Sequence, residues 1–214
     1  VEPTVRSAAV RLRAELREGR VTPSSFTAAL DAVPPRDRDE WLDVLWDVEA
    51  IVEDGPDLPR GSVPYLPCGV ATVLAALERA SVTSGDSFVD IGSGIGRVAF
   101  LAHLKTGAES VGIEIQPALA KEARIRAERS RLPRLRFLEG DAVGRVRELT
   151  TATVFFLYCP FGLEQLDPFL DRLEVVARGR AIRVCCVDMP PLARRWLARL
   201  PSASPELDVY RSVP

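Results

Sequence analysis

Phe88-Val89-Asp90-Ile91-Gly92-Ser93-Gly94-Ile95-Gly96-Arg97 is the stretch that decides the fold: a short apolar run ends in an acid and then turns through three glycines into a helical segment. Gly92 and Gly94 allow a turn that β-carbons would obstruct, and Gly96 lets helix and strand approach closely, so the backbone can come up to a nucleotide-like ligand. From Asp86 onward, apolar runs alternate with amphipathic segments, the signature of a parallel sheet covered by helices. Strands are predicted at 87–91, 110–115, 135–138, 153–158 and 182–187, with a last one at 207–212. Helices are predicted at 97–105, 117–130, 163–177 and 191–200. The class is α/β with a mostly parallel sheet.

The turn also bears on the ligand. Dinucleotide folds use GxGxxG, where a helix N-terminus receives a pyrophosphate; here the spacing is GxGxG, and Asp90 stands just before it. That carboxylate would repel an anion and attract the ammonium of a methionine moiety, which favours S-adenosylmethionine (SAM) over NAD. The plainer alternative is an acid that only caps the turn. Two further acids follow two further strands. Glu114 closes Val111-Gly112-Ile113-Glu114-Ile115 at a distance from Gly96 that fits one crossover helix, so it reaches the same sheet edge, where a carboxylate can accept both ribose hydroxyl protons. Asp141, in Glu139-Gly140-Asp141-Ala142, could accept from the adenine amino group.

Upstream, the chain reads as helices broken by prolines: 7–17, a second opened by Thr22-Pro23 as N-cap and first helical residue, and a third over 38–52 with Trp41, Leu42, Leu45, Trp46 and Val48 on one stripe. Gly55, Pro56, Pro59, Gly61, Pro64 and Pro67 mark a linker, followed by a helix over 70–79. The organisation expected is an N-terminal helical extension or lid over 1–62 and a SAM-binding core over 63–214.

The composition excludes several chemistries. With 214 residues, 47% of them hydrophobic, one substantial core is expected. A net charge of −2 gives no general attraction to a polyanion, so nucleic acid is not an expected partner. No apolar run is long enough to span a membrane and no signal-peptide pattern opens the chain, so the expected location is cytoplasmic; the absent initiator Met suggests trimming or processing. Cys68, Cys159, Cys185 and Cys186 lack the paired spacing of a zinc site and read as reduced, structural thiols. His103 is the single histidine. A histidine metal centre is therefore not expected, and His103 itself reads as a packed or surface residue. The basic run Lys121, Arg124, Arg126, Arg129, Arg131, Arg134 and Arg136 could recognise an acidic acceptor, or form a solvated face interspersed with Glu122 and Glu128.

Over residues 65–187 the sequence resembles the class I SAM-dependent methyltransferases. The resemblance implies a Rossmann-like sheet of order 3-2-1-4-5-7-6 with helices on both faces. It implies SAM bound by Asp90, Gly92, Gly94, Glu114 and Asp141, with Ser93, Gly96, Ile115 and Ala142 beside them. One departure is expected: only one strand is evident after the fifth, so the usual antiparallel hairpin would be shortened or partly absent. After the fourth strand, Tyr158-Cys159-Pro160-Phe161 stands where many enzymes of this family that methylate planar nitrogens carry [Asn/Asp/Ser]-Pro-Pro-[Tyr/Phe]. The polar residue is missing, which weakens adenine and glutamine as acceptors. Upstream, Val63-Pro64-Tyr65-Leu66-Pro67 with the glycine turn resembles, more narrowly, the lysine methyltransferases of ADP/ATP translocase and the ATP-synthase c-subunit. That likeness implies a role for Tyr65 on the cofactor or acceptor side. Tyr158, Cys159 and Tyr65 are the catalytic candidates, and Glu164 is a nearby carboxylate; no general base is assigned. The expected function is methyl transfer by in-line displacement to a protein, with lysine the favoured acceptor. The alternatives are a small-molecule methyltransferase and a non-catalytic SAM-binding module.

Overall fold

In the computed structural model, which describes residues 3–48, 64–146, 149–160, 162–201 and 205–214, three α-helices fall within residues 3–48. They are α1 (Pro3–Arg17), α2 (Pro23–Asp31) and α3 (Arg38–Leu45). Thr22 caps α2 through a reciprocal pair in which its hydroxyl accepts from the Ser25 amide while the Ser25 hydroxyl accepts from the Thr22 amide. The third helix is shorter than its apolar stripe suggests: Trp46 forms the C-cap, and Asp47 adopts a left-handed φ of 63°. Arg13 and Arg17 hold the Asp47 carboxylate, so α1 fixes the stop. The expected domain boundary at 62/63, and most of the expected linker, lie outside the described residues.

The remaining elements are α4 (Val70–Arg79), β1 (Ser87–Ile91), α5 (Arg97–Thr106), β2 (Glu109–Glu114), α6 (Pro117–Arg129), β3 (Leu135–Glu139), α7 (Ala142–Arg145), β4 (Val154–Tyr158), α8 (Leu163–Gly179), β5 (Arg183–Val187), β6 (Leu197–Arg199) and β7 (Leu207–Ser212). Among the described residues seven strands lie in the order β3-β2-β1-β4-β5-β7-β6. β1 to β5 pair in parallel and β7 runs antiparallel to β5 and β6. This is the class I methyltransferase topology.

Period-2 alternation divides the core between the two faces of the sheet. Phe88, Phe156 and Cys185 join α1 to α5 in one buried cluster, while Val89, Phe155, Val184 and Cys186 join α7 and α8 in the other. Cys185 and Cys186 therefore point to opposite faces, as free thiols.

The C-terminal hairpin corrects the sequence reading twice. It is complete, and no helix spans 191–200: β6 forms there instead, pairing Leu197 with Ser212 and Arg199 with Tyr210. Pro190 and Pro191 remove two backbone donors, and the Arg199–Asp208 ion pair ties the two strands together. A three-residue strand is too short to declare itself by periodicity.

Candidate functional site

Because β1 to β5 are parallel, their C-terminal ends meet along one edge, and the strand order reverses between β1 and β4. Ligands of open α/β sheets bind at such a switch point. A cavity of about 480 Å³ lies there, within the range of small-molecule sites.

Asp90, one residue before the end of β1, lines the cavity and is 3% exposed. Its Oδ2 is buried with no hydrogen-bond partner among the described residues. Burial, and secondarily the Glu114 carboxylate, push its pKa up to about 8. A buried carboxylate oxygen without a donor calls for a cation or a strong donor from a ligand.

The turn that follows is held by β2. The Gly92 and Ser93 amides both donate to the Ile113 carbonyl at 2.9 Å, and the Gly94 amide donates to Glu114 Oε2 at 2.7 Å. Glu114 Oε1 accepts from the Gln116 amide at 2.8 Å. The carboxylate is thus fixed between turn and loop, at the edge of the cavity. Gly94, at φ 53°, lies under the Tyr65 ring, which a β-carbon there would overlap. Gly96, at φ 86°, lies under the Phe137 ring from β3, so its task is to admit that ring. Neither Gly94 nor Gly96 lines the cavity, whereas Gly92, Ser93, Glu114, Ile115, Asp141 and Ala142 do. Asp141 caps α7, its Oδ1 accepting from the Val143 amide at 3.2 Å.

The rest of the lining comes from the strap 64–68, which lies over the glycine turn, and from the ends of β4 and β5. Tyr65, Cys68, Tyr158 and Cys159 are all present. Burial raises the pKa of both tyrosines and both thiols. Cys159 has φ 40°, and its thiol donates to the Asp188 carbonyl at 2.9 Å. Pro160 closes over Gly92, where a β-carbon would stand 2.8 Å from it. Phe161 lies outside the described residues. Glu164 is exposed and does not line the cavity; Gln165 and Asp188 do. Asp188 was missed in the sequence, although its position as an acid directly after β5 repeats the pattern that exposed the other three.

Arg97, the first residue of α5, also went without a role. It is 4% exposed and reaches across to the N-terminal helices: Nε donates to Asp43 at 2.6 Å, Nη2 to Asp39 Oδ1 at 2.9 Å, and Nη1 to the Cys68 carbonyl at 2.7 Å. Trp46 adds an indole N–H to the Ile95 carbonyl at 2.7 Å and stacks on Phe100. The glycine turn is therefore braced by β2 on one side and by α3 and the strap on the other.

Other candidates fall elsewhere. His103 bonds the Ala108 carbonyl through Nδ1, and burial lowers its pKa. Much of the basic run is engaged internally: Arg124 with Glu139, Arg126 with Glu122, Arg136 with Glu109, and Arg134 with the Gly107 carbonyl. Among the described residues no group of His, Cys, Asp and Glu could hold a metal ion, and no helix is long and apolar enough to cross a membrane.

Comparison with known proteins agrees with this architecture. The family described as histone methylation protein DOT1 matches residues 68–135. No match is found among curated proteins. Of solved structures, an RNA methyltransferase from Salinibacter ruber in complex with S-adenosyl-L-homocysteine is 28% identical, with a TM-score of 0.50 over 69% of this chain and 92% of its own. A candidate methyltransferase of Escherichia coli, yhhF, is 15% identical, with a TM-score of 0.53 over 66% of this chain and 86% of its own. A candidate caffeoyl-CoA O-methyltransferase of Staphylococcus aureus is 10% identical, with a TM-score of 0.54 over 70% of this chain and 86% of its own.

Proposed function

We propose that this chain, a SAM-dependent methyltransferase with the class I fold, transfers its methyl group to the side-chain amine of a protein lysine. The observation that carries the cofactor half is the buried, partnerless Oδ2 of Asp90, a residue that lines the cavity together with the backbone-anchored Glu114 carboxylate. The residues fit the group: Asp90 would take the methionyl ammonium, Glu114 the ribose hydroxyls, and Asp141 the adenine amino group, with Gly92, Ser93, Ile115 and Ala142 forming the walls. Gly94 and Gly96 would act indirectly, by admitting Tyr65 and Phe137. When bound, SAM supplies an electrophilic sulfonium methyl.

At the transfer end, Tyr65, Tyr158 and Cys159 would align the acceptor and exclude water rather than exchange protons, since burial raises the pKa of each. The lysine acceptor is supported by the match to a histone methylation family across the strap end and the glycine turn, and by the Tyr65 strap over Gly94. The missing polar residue ahead of Pro160 also speaks against a planar nitrogen acceptor. The N-terminal helices and strap would serve as the lid of the site, and a cytoplasmic location fits this reading.

The test is transfer of labelled methyl from SAM into a lysate of the source cell, with Glu114→Ala as control, followed by protease, nuclease and solvent fractionation. The expected outcome is Glu114-dependent label that protease releases and that acid hydrolysis recovers as methyl-lysine. Nuclease-sensitive label would replace this acceptor with RNA, the substrate in the name of the Salinibacter protein. Solvent-extractable label would replace it with a small molecule. SAM binding without any Glu114-dependent label would point to a non-catalytic module.

A further inference from the structure

The transfer end of the cavity has an electrostatic sign. Asp188 lines it, is exposed at its rim, and makes no hydrogen bond or ion pair through its carboxylate among the described residues. Its backbone is held on both sides: its amide donates to the Glu206 carbonyl at 2.9 Å, and its carbonyl accepts the Cys159 thiol at 2.9 Å. The carboxylate is near enough to Tyr158, Cys159 and Cys68 to disfavour the ionised form of all three. Among the described residues the only cation in the lining, Arg97, is committed to Asp39, Asp43 and the Cys68 carbonyl. An acceptor entering between Tyr65 and Tyr158 therefore meets aromatic walls and one uncompensated negative charge.

We infer that Asp188 is the residue that selects a cationic acceptor, receiving an ammonium group at the rim of the cavity before methyl transfer. This rests on the amine-acceptor reading above and deepens it. A carboxylate beside an ammonium favours the charged form, so Asp188 captures and orients the acceptor and is not its base. The acceptor's proton leaves to water at the open rim. A phosphate-bearing acceptor would meet repulsion from the same group.

The experiment uses two cofactor analogues and needs no knowledge of the acceptor. Sinefungin carries a primary ammonium on carbon in place of the methylsulfonium, and S-adenosylhomocysteine carries neither charge there. Both would use the same adenine, ribose and methionyl contacts. The ratio of their dissociation constants, measured by calorimetry on the full chain, reads the field at the transfer end alone. Asp188→Asn should weaken sinefungin by about three- to tenfold, the range for one charge-assisted contact at a partly hydrated site. It should leave S-adenosylhomocysteine unchanged, which also certifies the fold. Asp188→Glu should keep most of the preference, and added salt should erode it in the wild type. An unchanged ratio, or an equal loss for both ligands, would overturn the assignment. The lysine reading fails separately: methyl-lysine in the lysate digest together with an unchanged ratio would remove Asp188 alone, while an Asp188-dependent ratio without methyl-lysine would leave a selector for some other amine.

Discussion

Asp90 combines burial, an unmet hydrogen-bonding atom and a neighbouring carboxylate, and the three together give the free protein a pH dependence. In the unfolded chain an aspartate ionises near 3.9, whereas in the fold Asp90 does so near 8, so the native state holds the extra proton between these values. Its contribution to stability is present at low pH and is lost as pH rises toward about 8. With Asp90 receiving the methionyl ammonium, as proposed, cofactor binding would run the other way, because an ammonium needs the ionised form. SAM affinity should therefore rise with pH up to about 8 and then level, with proton release visible as a buffer-dependent heat in calorimetry. Asp90→Asn should flatten that profile and weaken binding by about tenfold to a hundredfold, the worth of a charged hydrogen bond. A flat wild-type profile would show that Asp90 is ionised before the ligand arrives. The positions of Asp90, Glu114 and Asp141 at the cavity were legible in sequence because each stands at or near the end of a strand whose apolar run is local. The partners of Arg97 were not: Asp39, Asp43 and Cys68 reach it through packing between segments 29 to 58 residues apart in the chain.

Among the elements, strands buried on both faces announced themselves as continuous apolar runs, and helices over α4, α5, α6 and α8 followed from their flanking turns. β6 did not, because three residues carry no period and are a strand only by pairing with β7. The end of α3 was also invisible, since it is set by Arg13 and Arg17 reaching Asp47 from another helix. The Arg97 brace makes α3 and the strap mechanical parts of the glycine turn. Arg97→Met should destabilise the protein by roughly 2–4 kcal/mol in urea unfolding, somewhat below the cost of breaking a fully buried pair, because Asp39 and Asp43 are partly hydrated. Arg97→Lys should recover part of this, because an ammonium can satisfy one of the acids but cannot span both acids and the Cys68 carbonyl. An effect below about 0.5 kcal/mol, the size of an ordinary surface change, would mean that Trp46 alone braces the turn.

At the scale of the whole molecule, α1 to α3 share a single buried cluster with α4, α5 and the sheet. Thermal unfolding followed at once by near- and far-ultraviolet dichroism should therefore show one coincident transition. A version beginning at residue 49 should be insoluble, since it uncovers the apolar surface of α5 that Trp46 occupies. Two separated transitions, or a soluble truncated core, would establish the helices as an independent layer. The same arrangement has a consequence for synthesis. Phe26 and Trp41 can find each other as soon as α3 is made, but the carbonyl that Trp46 grips belongs to a residue 49 positions later. At a ribosomal rate of about 5–20 residues per second, the indole waits roughly 2–10 seconds for its seat to be translated. During that interval the nascent chain presents an unsheltered aromatic face, and its safe passage depends on how quickly the ribosome delivers the glycine turn.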